Sequence, residues 1–413
     1  MNNTPRASRK HIGFYGKRNA GKSSIMNAII GQEISLVSEI KGTTTDPVSK
    51  SVELIPFGPV VFIDTGGIDD EGHLGELRVE KTIKTLEKID FAIYVMEITD
   101  IDDNYHKEFV EEFKKRDISY IIVINKTDIV SEGRLGEIKN NIDNEKKWEN
   151  VVFVSTTDNT TISYLKDELI KNLDADKEEE TLIGDIIPYG GKVIMVVPID
   201  AEAPKARLIL PQVQLIRDCL DHGIKSYVVR DTELASAIED LKDIDLVVTD
   251  SQAFKEVDKI VPKSINLTSF SIIMARQKGD LNTFLEGIKV IESLKEKETP
   301  KILIMESCSH NTSHEDIGKV KIPKLLTKHL GKEIDYHFRM GEDFPKDLET
   351  YDLVIHCGSC MLNKKTMETR MRVCSDKGVS ITNYGILLAY LTGILDRAVK
   401  VFIGTGGQEL CPR

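Results

Sequence analysis

The sequence predicts an α/β protein built from more than one parallel sheet. Two observations carry that expectation. Short β-branched runs alternate with stretches of helical periodicity along nearly the whole chain, the pattern of strands joined by crossover helices. The length, 413 residues, exceeds what one core ordinarily organises, so two to three domains are expected. The composition is globular, with 40% hydrophobic and 30% charged residues and no short-period repeat. A net charge of −12 argues against non-specific nucleic-acid binding, which needs a basic face. The opening MNNTPRASRKH lacks the apolar stretch of a signal peptide, and ILLAYLTGIL is about half a membrane span. The expectation is a soluble, cytoplasmic protein with no membrane partner. In that compartment six cysteines point to metal or redox chemistry rather than to disulfides.

The first strand is HIGFY. It runs into GKRNAGKS (16–23), which fits G-x-x-x-x-G-K-S/T, and then into the helical SIMNAII. A phosphate-binding P-loop requires this strand–loop–helix context. Gly16 and Gly21 let the backbone curl so that its N–H groups face phosphates. Lys22 would neutralise the β- and γ-phosphates and Ser23 would ligate magnesium, with Asn19 and Ser24 completing the loop. In KGTTTDP, Thr44 would cap magnesium and the γ-phosphate. The strand VVFIDTGG ends in Asp64-x-x-Gly67; Asp64 would hold magnesium through water and the Gly67 N–H would sense the γ-phosphate. The strand YIIVINKTD ends in Asn125-Lys126-x-Asp128, and a carboxylate at Asp128 accepts two donors that guanine offers and adenine does not. VVFVSTT places Ser155 at the same base pocket. In this order, at strand ends, the motifs predict a P-loop GTPase domain over 1–173, with Lys22, Thr44, Asp64 and Gly67 as its catalytic set. Ile68 follows Gly67, and an apolar side chain cannot orient the attacking water, so hydrolysis is slow or uses another group.

GKRNAGKS, GTTTD, DTGG and NKTD resemble the Era/TrmE-like translation-factor GTPases over about the first 170 residues. In that family an Asn at the place of Asn19 helps coordinate potassium, which implies potassium-stimulated GTP turnover. A loop-stabilising Asx hydrogen bond is the other reading of Asn19.

DADKEEET (174–181) reads as a linker. Beyond it KVIMVVPI, KSYVVR and DLVVTD alternate with PQVQLIRDCLDHG and TELASAIEDLK, predicting a smaller parallel α/β domain over 182–266. A third α/β domain is expected over 267–413. It opens with long helices in LTSFSIIMARQKGDLNTFLEGIKVIESL. The strand KILIM (301–305), a helix near 315–331, the strand YDLVI (351–355), a helix near 363–377 and VSITNYGILLAYLTG follow.

ESCSH (306–310) follows KILIM and HCGSC (356–360) follows YDLVI. If these strands are parallel, their carboxyl ends share one edge, where ligands gather in open α/β sheets. Cys308, Cys357 and Cys360 then come together, and Glu306 shares a strand face with Cys308 and His310. Glu306, His310 and His356 are the candidate additional ligands. The residue types alone leave zinc and an iron–sulfur cluster both open.

C-x-H, about 45 residues, then H-C-x-x-C, behind such a GTPase domain, resembles the FeFe-hydrogenase maturation GTPases, the HydF family. VVPIDAEAPKARLILPQVQLIRD, LTSFSIIMARQKGDL and ITNYGILLAYLTGILDRA extend the likeness over nearly the whole chain. The resemblance implies a homodimeric scaffold or carrier that dimerises through its middle domain. It implies GTP, magnesium and potassium, and a 4Fe-4S cluster on Cys308, Cys357 and Cys360. A diiron subcluster would be completed there and passed to apo FeFe-hydrogenase, with two radical-SAM maturases upstream. His310 and His356 match the family's motif histidines, as a fourth ligand or as outer partners. The alternatives are an Era-like, ribosome- or RNA-linked GTPase with a structural zinc site, and a GTPase whose cluster only senses oxygen. Cys219 and Cys374 read as core residues, Cys411 as a free tail thiol, His314 as a helix cap, and Lys205 and Arg207 as a solvated loop.

Overall fold

Strand β1 (Lys10–Tyr15) is buried from His11 onward because apolar side chains on both of its faces meet a core. The computed structural model describes residues 5–31, 36–40, 48–65, 82–101, 103–175, 181–199, 208–307, 317–341, 344–345 and 347–403. In it β1 is the middle strand of a seven-stranded sheet. The other strands are β2 (Leu36–Ile40), β3 (Val48–Leu54), β4 (Gly58–Asp64), β5 (Phe91–Glu97), β6 (Ser119–Asn125) and β7 (Val151–Phe153). The order is β2-β3-β4-β1-β5-β6-β7; the two pairings among β2, β3 and β4 are antiparallel and the rest parallel. Ile12, Phe14, Phe62, Ile93 and Val123 face one core, closed by helices α1 (Lys22–Gly31) and α4 (Asn159–Ala175). Tyr15, Ile63, Tyr94 and Ile124 face the other, closed by α2 (Asp103–Lys115) and α3 (Glu132–Asn141). This is the expected P-loop α/β domain, and it lies within a compact unit of residues 1–178.

The second unit, residues 179–413, contains two four-stranded sheets. The first uses β8 (Lys192–Val196), β9 (Lys225–Val229), β10 (Leu246–Thr249) and β11 (Asn266–Ser269) in the order β11-β10-β8-β9. The second uses β12 (Lys301–Glu306), β13 (Asp335–Met340), β14 (Leu353–His356) and β15 (Ser380–Asn383) in the order β13-β12-β14-β15. All pairings are parallel, as expected for two smaller α/β domains. The crossovers of the first carry α5 (Leu210–Asp221), α6 (Leu234–Asp240) and α7 (Phe254–Ile260), with α8 (Phe270–Lys278) and α9 (Leu281–Ser293) after β11. The second carries α10 (Ile322–Leu330) and α11 (Lys364–Asp376), then α12 (Tyr384–Leu391) and α13 (Leu395–Ile403). Among the described residues no helix is long and apolar enough to cross a membrane.

The two sheets are one motif used twice. Each has the strand order second–first–third–fourth, and each repeats the same local bonds. Asp245 Oδ2 accepts from the Lys192 amide at 2.8 Å, and Asp352 Oδ2 accepts from the Lys301 amide at 2.8 Å. Ser269 caps α8 and Asn383 caps α12. LTSFSIIMARQKG and ITNYGILLAYLTG then align, with Thr, Ile, Ala and Gly at matching places. This long-period repeat is too diverged to stand out in the sequence.

The repeats are interlocked rather than strung apart. Helix α9, which follows the first repeat, packs on β15 of the second; α13, which follows the second, packs on β11 of the first. Arg397 of α13 donates to the carbonyls of Val261, Pro262 and Ile265. A single hydrophobic cluster includes Ile194, Val247 and Leu267 together with Ile302, Ile304 and Ile355. The boundary expected at 266/267 falls inside this arrangement. Asn266–Ser269 is a strand bonded to β10 where a helix was expected. Four residues with three polar side chains give no strand periodicity. Strand β13 carries DYHFRM, in which Tyr336, Phe338 and Met340 alternate with polar residues, the period-two pattern of a half-buried edge strand, although no residue of it is fully buried.

Gly287 shows how tight the interlock is. A Cβ there would lie 2.1 Å from the Ile381 carbonyl oxygen, so α9 touches the β15 backbone directly. Gly287→Ala is expected to destabilise the second unit by about 1–3 kcal/mol, the usual range for overpacking. Trp148, the single tryptophan, lies in the first unit. Urea unfolding should therefore show an unchanged tryptophan transition and an earlier far-UV circular dichroism transition; two unchanged transitions would contradict the packing account.

Candidate functional sites: a phosphate loop and a cysteine edge

The loop 16–21 leaves β1 and ends at the first residue of α1. Gly16 has φ +136° and a Cβ there would meet the Val95 carbonyl at 2.1 Å; Gly21 has φ +98° and a Cβ would meet Asn125 Nδ2 at 2.1 Å. Both therefore require glycine, for conformation and for space. Asn19 is also left-handed, at φ +62°, a conformation Asn tolerates better than most residues. Lys22 is buried, and its Nζ donates to the carbonyls of Gly16 and Lys17, both at 2.8 Å. Ser23 Oγ donates to Asp64 Oδ2. The other Asp64 oxygen is buried without a hydrogen-bond partner, and burial holds this carboxyl above its ordinary value, partly offset by Ser23. A hydroxyl beside a half-satisfied carboxylate is an oxygen donor pair that suits magnesium. Thr44 and Gly67 lie outside the described residues.

Asn125, Lys126, Asp128 and Ser155 are brought together at the ends of β6 and β7. Asn125 Nδ2 donates to the Ala20 carbonyl at 2.9 Å, tying this segment to the phosphate loop, while its Oδ1 is a buried acceptor without a partner. Lys126 pairs with Glu97, whose carboxyl this contact holds below its usual range. Ser155 Oγ donates to Asp128 Oδ1 at 2.5 Å, which fixes one carboxylate oxygen and orients the carboxylate. Glu97 was not singled out in the sequence; it is the last residue of β5, next to Asn125 in the register.

The second site lies where the strand order reverses in the second repeat, between β12 and β14. Met305 is opposite His356 in the register, and the Cys357 amide donates to the Met305 carbonyl at 2.9 Å. The Ser307 amide donates to Cys357 Sγ at 3.2 Å, and the Ser307 hydroxyl is also 3.2 Å from that sulfur. Glu306 accepts from Tyr384 Oη at 3.2 Å. Glu306, Ser307, His356, Cys357 and Cys360 thus share one edge, and Cys308 follows Ser307 directly. Cys308, His310, His314, Lys205, Arg207 and Cys411 lie outside the described residues. Among the described residues, no three His, Cys, Asp or Glu side chains are close enough to hold a metal. Burial raises the Cys357 thiol and the Ser307 bonds oppose that shift. A sulfur that receives N–H donors is suited to thiolate ligation. Cys219 and Cys374 are core residues, with thiols pushed up to about 12 by burial.

His356 is fully buried, and both ring nitrogens are engaged. Arg370 Nη1 lies 2.6 Å from Nε2. A guanidinium only donates, so Nε2 is the acceptor and the proton sits on Nδ1, which is 3.0 Å from the Cys357 carbonyl and from Ser359 Oγ. As placed, the ring orients the cysteine loop and offers no free nitrogen to a metal. Arg370 also donates to the Gly341 carbonyl and stacks over Phe344. Neither Arg370 nor Ser307 carries a motif in the sequence; their roles come from packing.

Burial, then the Arg370 charge, lower the His356 pKa from 6.5 to about 3. The unfolded chain therefore binds a proton at His356 that the folded chain refuses. That stability is full above pH 6.5 and is lost as pH falls toward 3. In metal-free protein, the unfolding midpoint of the second unit should fall between pH 6.5 and about 4.5, and less steeply in His356→Asn. Equal slopes in the two proteins would contradict the assignment.

Residues 182–279 match the model of the hydrogen maturase F dimerization domain, residues 282–401 that of the hydrogen maturase F tetramerization domain, and residues 11–126 that of a 50S ribosome-binding GTPase. GTPase Der of Kosmotoga olearia is 34% identical over 166 residues, 38% of this chain and 37% of that protein. The tRNA modification GTPase MnmE of Leptospira interrogans is 35% identical over 121 residues, 29% of this chain and 26% of that protein. The matched stretches thus span about a third and a quarter of these relatives. The crystal structure of a point variant of Aquifex aeolicus Era bound to GDP.AlF4− is 25% identical, with a TM-score of 0.33, over 39% of this chain and 56% of that one. An Era-like GTPase with a zinc-stabilised C-terminal domain is not favoured, since the domains behind the GTPase are those of a maturase. With two maturase domains that together span more than half of its length behind a P-loop GTPase domain, the chain belongs to the hydrogen maturase F family.

Proposed function

We propose that this chain is a GTP-dependent scaffold or carrier that binds a 4Fe-4S cluster, on which the diiron subcluster of FeFe-hydrogenase is completed and from which it is delivered. The observation that carries the reading is the cysteine edge. Cys357 and Cys360 leave β14 at the strand reversal, beside Glu306 and Ser307 at the end of β12. Cys308, Cys357 and Cys360 would hold the cluster, and Glu306, steadied by Tyr384, is the described carboxylate best placed as a fourth ligand. When bound, the cluster supplies an iron with an exchangeable position. His310 serves that position or its surroundings, and His356 orients the loop. The diiron unit with its CO, cyanide and dithiolate is the cargo, and apo FeFe-hydrogenase and two radical-SAM maturases are the partners. The chain works in the cytoplasm as a homodimer joined through the domain that begins at 182, and the match of 282–401 to a tetramerization domain supports pairing of such dimers.

In the GTPase domain, Gly16, Asn19, Gly21, Lys22, Ser23 and Ser24 cradle the phosphates. Asn125, Lys126, Asp128 and Ser155 read guanine. Ser23, Thr44 and Asp64 hold magnesium, and Gly67 senses the γ-phosphate. Ile68 cannot position water, so turnover is slow and draws on potassium at Asn19. Turnover switches partner exchange and leaves the cluster chemistry untouched.

Protein loaded in the presence of both maturases should activate apo FeFe-hydrogenase in vitro. Cys360→Ala should give no activation while hydrolysing GTP at the wild-type rate. Activation that does not depend on the protein would overturn the scaffold reading. Hydrolysis is expected to run severalfold faster in potassium than in sodium, and equal rates would remove the role given to Asn19.

A further inference from the structure

The loop that carries Cys357 and Cys360 is held from the first repeat. Helix α8 ends on Lys278, which is only 4% exposed. Its Nζ donates to the carbonyl oxygens of Ser359 at 3.0 Å, Cys360 at 3.3 Å and Leu362 at 2.6 Å. At the other end of α8, Ser271 Oγ donates to Asn383 Oδ1 at 3.0 Å, and Asn383 Nδ2 donates to the Cys357 carbonyl at 3.3 Å. One helix therefore holds the loop directly at 359, 360 and 362, and at 357 through Asn383. The aligned position in the second repeat is Thr392, whose hydroxyl turns back to the Leu388 carbonyl at 2.7 Å. Among the described residues, α8 reaches the loop in this way, whereas Thr392 at the matching place bonds within its own helix.

The bonds do more than anchor. Hydrogen bonds from an ammonium are roughly twice as strong as neutral ones. In a planar trans peptide the C=O and N–H point in opposite directions. Turning the carbonyls of Ser359 and Cys360 onto Lys278 therefore turns the N–H groups of Cys360 and Met361 to the opposite side of the loop. Ser359 takes the left-handed conformation that this curl needs, at φ +55°. Hydrogen bonds to sulfur and local net charge both set the potential of an iron–sulfur cluster.

We propose that Lys278 is a positioning residue: it sets the conformation of the Cys357–Cys360 loop before any metal binds, and through it the reduction potential of the cluster. The second half rests on the cluster reading above; the first half does not.

The test uses the full chain as wild type, Lys278→Met and Lys278→Gln. In metal-free protein, amide hydrogen exchange of peptides covering 357–363 should be at least tenfold faster in Lys278→Met, with Lys278→Gln, which keeps N–H donors, in between. Equal loop exchange in all three would overturn the positioning role. If Lys278→Met does not fold, Lys278→Gln against wild type decides on the same criterion. After anaerobic reconstitution, an EPR-monitored redox titration should show the reduced-to-oxidised ratio at a fixed potential at least tenfold lower in the variant. For a one-electron couple that is a shift of about 59 mV to lower potential. An unchanged potential would reduce Lys278 to a merely structural anchor and overturn the second half. Wild type that takes up no iron–sulfur would sink the cluster reading together with that half, while loop exchange would still decide the first.

Discussion

The parallel pairing of β12 with β14 is the constraint on which the cysteine site depends. It sets Met305 opposite His356, and it brings two segments about fifty residues apart in the chain to one sheet edge. β13 lies on the far side of β12 and β15 on the far side of β14, so the strand order reverses between β12 and β14, the place where open α/β sheets bind ligands. A slip of one residue would turn every side chain of β14 to the opposite face and carry His356 away from Arg370. The apolar runs KILIM and YDLVI hold the register, since their side chains are buried against helices on both faces.

Two polar side chains buried at that edge, His356 and Lys278, each meet partners. His356 stays neutral because it is buried and the Arg370 guanidinium stands beside it, which outweighs the opposing bond to the Cys357 carbonyl. Lys278 stays buried because carbonyls of the same loop surround its ammonium. The described part of the edge, with Cys357 and Cys360, is thus held by protein contacts on several sides. The interlocking of α9 and α13 makes the two repeats one body, so the loop borrows rigidity from both.

What was legible in the sequence was local chemistry at strand ends. Gly16 and Gly21 betray the phosphate loop because only glycine fits their conformation, and Asp64, Asn125 and Asp128 each close an apolar run. Cys357 was legible for the same reason, since YDLVI is a plain buried strand. Lys278, Arg370, Ser307 and Asn383 were not. Each is an ordinary polar residue until packing places it against the loop, and Lys278 meets its acceptors across more than eighty residues of sequence. Strand β11 escaped because it is four residues long and mostly polar, and β13 because its alternation is confined to six residues at a sheet edge with none fully buried. The repeat escaped because its halves share folding constraints more than they share residues.

The central claim is that the cysteines hold an iron–sulfur cluster. The direct measurement is metal content and the reduced EPR spectrum of anaerobically reconstituted protein, for wild type and for Cys308→Ala, Cys357→Ala and Cys360→Ala. The account predicts about four irons per chain, as a cubane requires, and a reduced cubane signal in wild type that each substitution abolishes. Stoichiometric zinc that resists replacement, with no such signal, would contradict it.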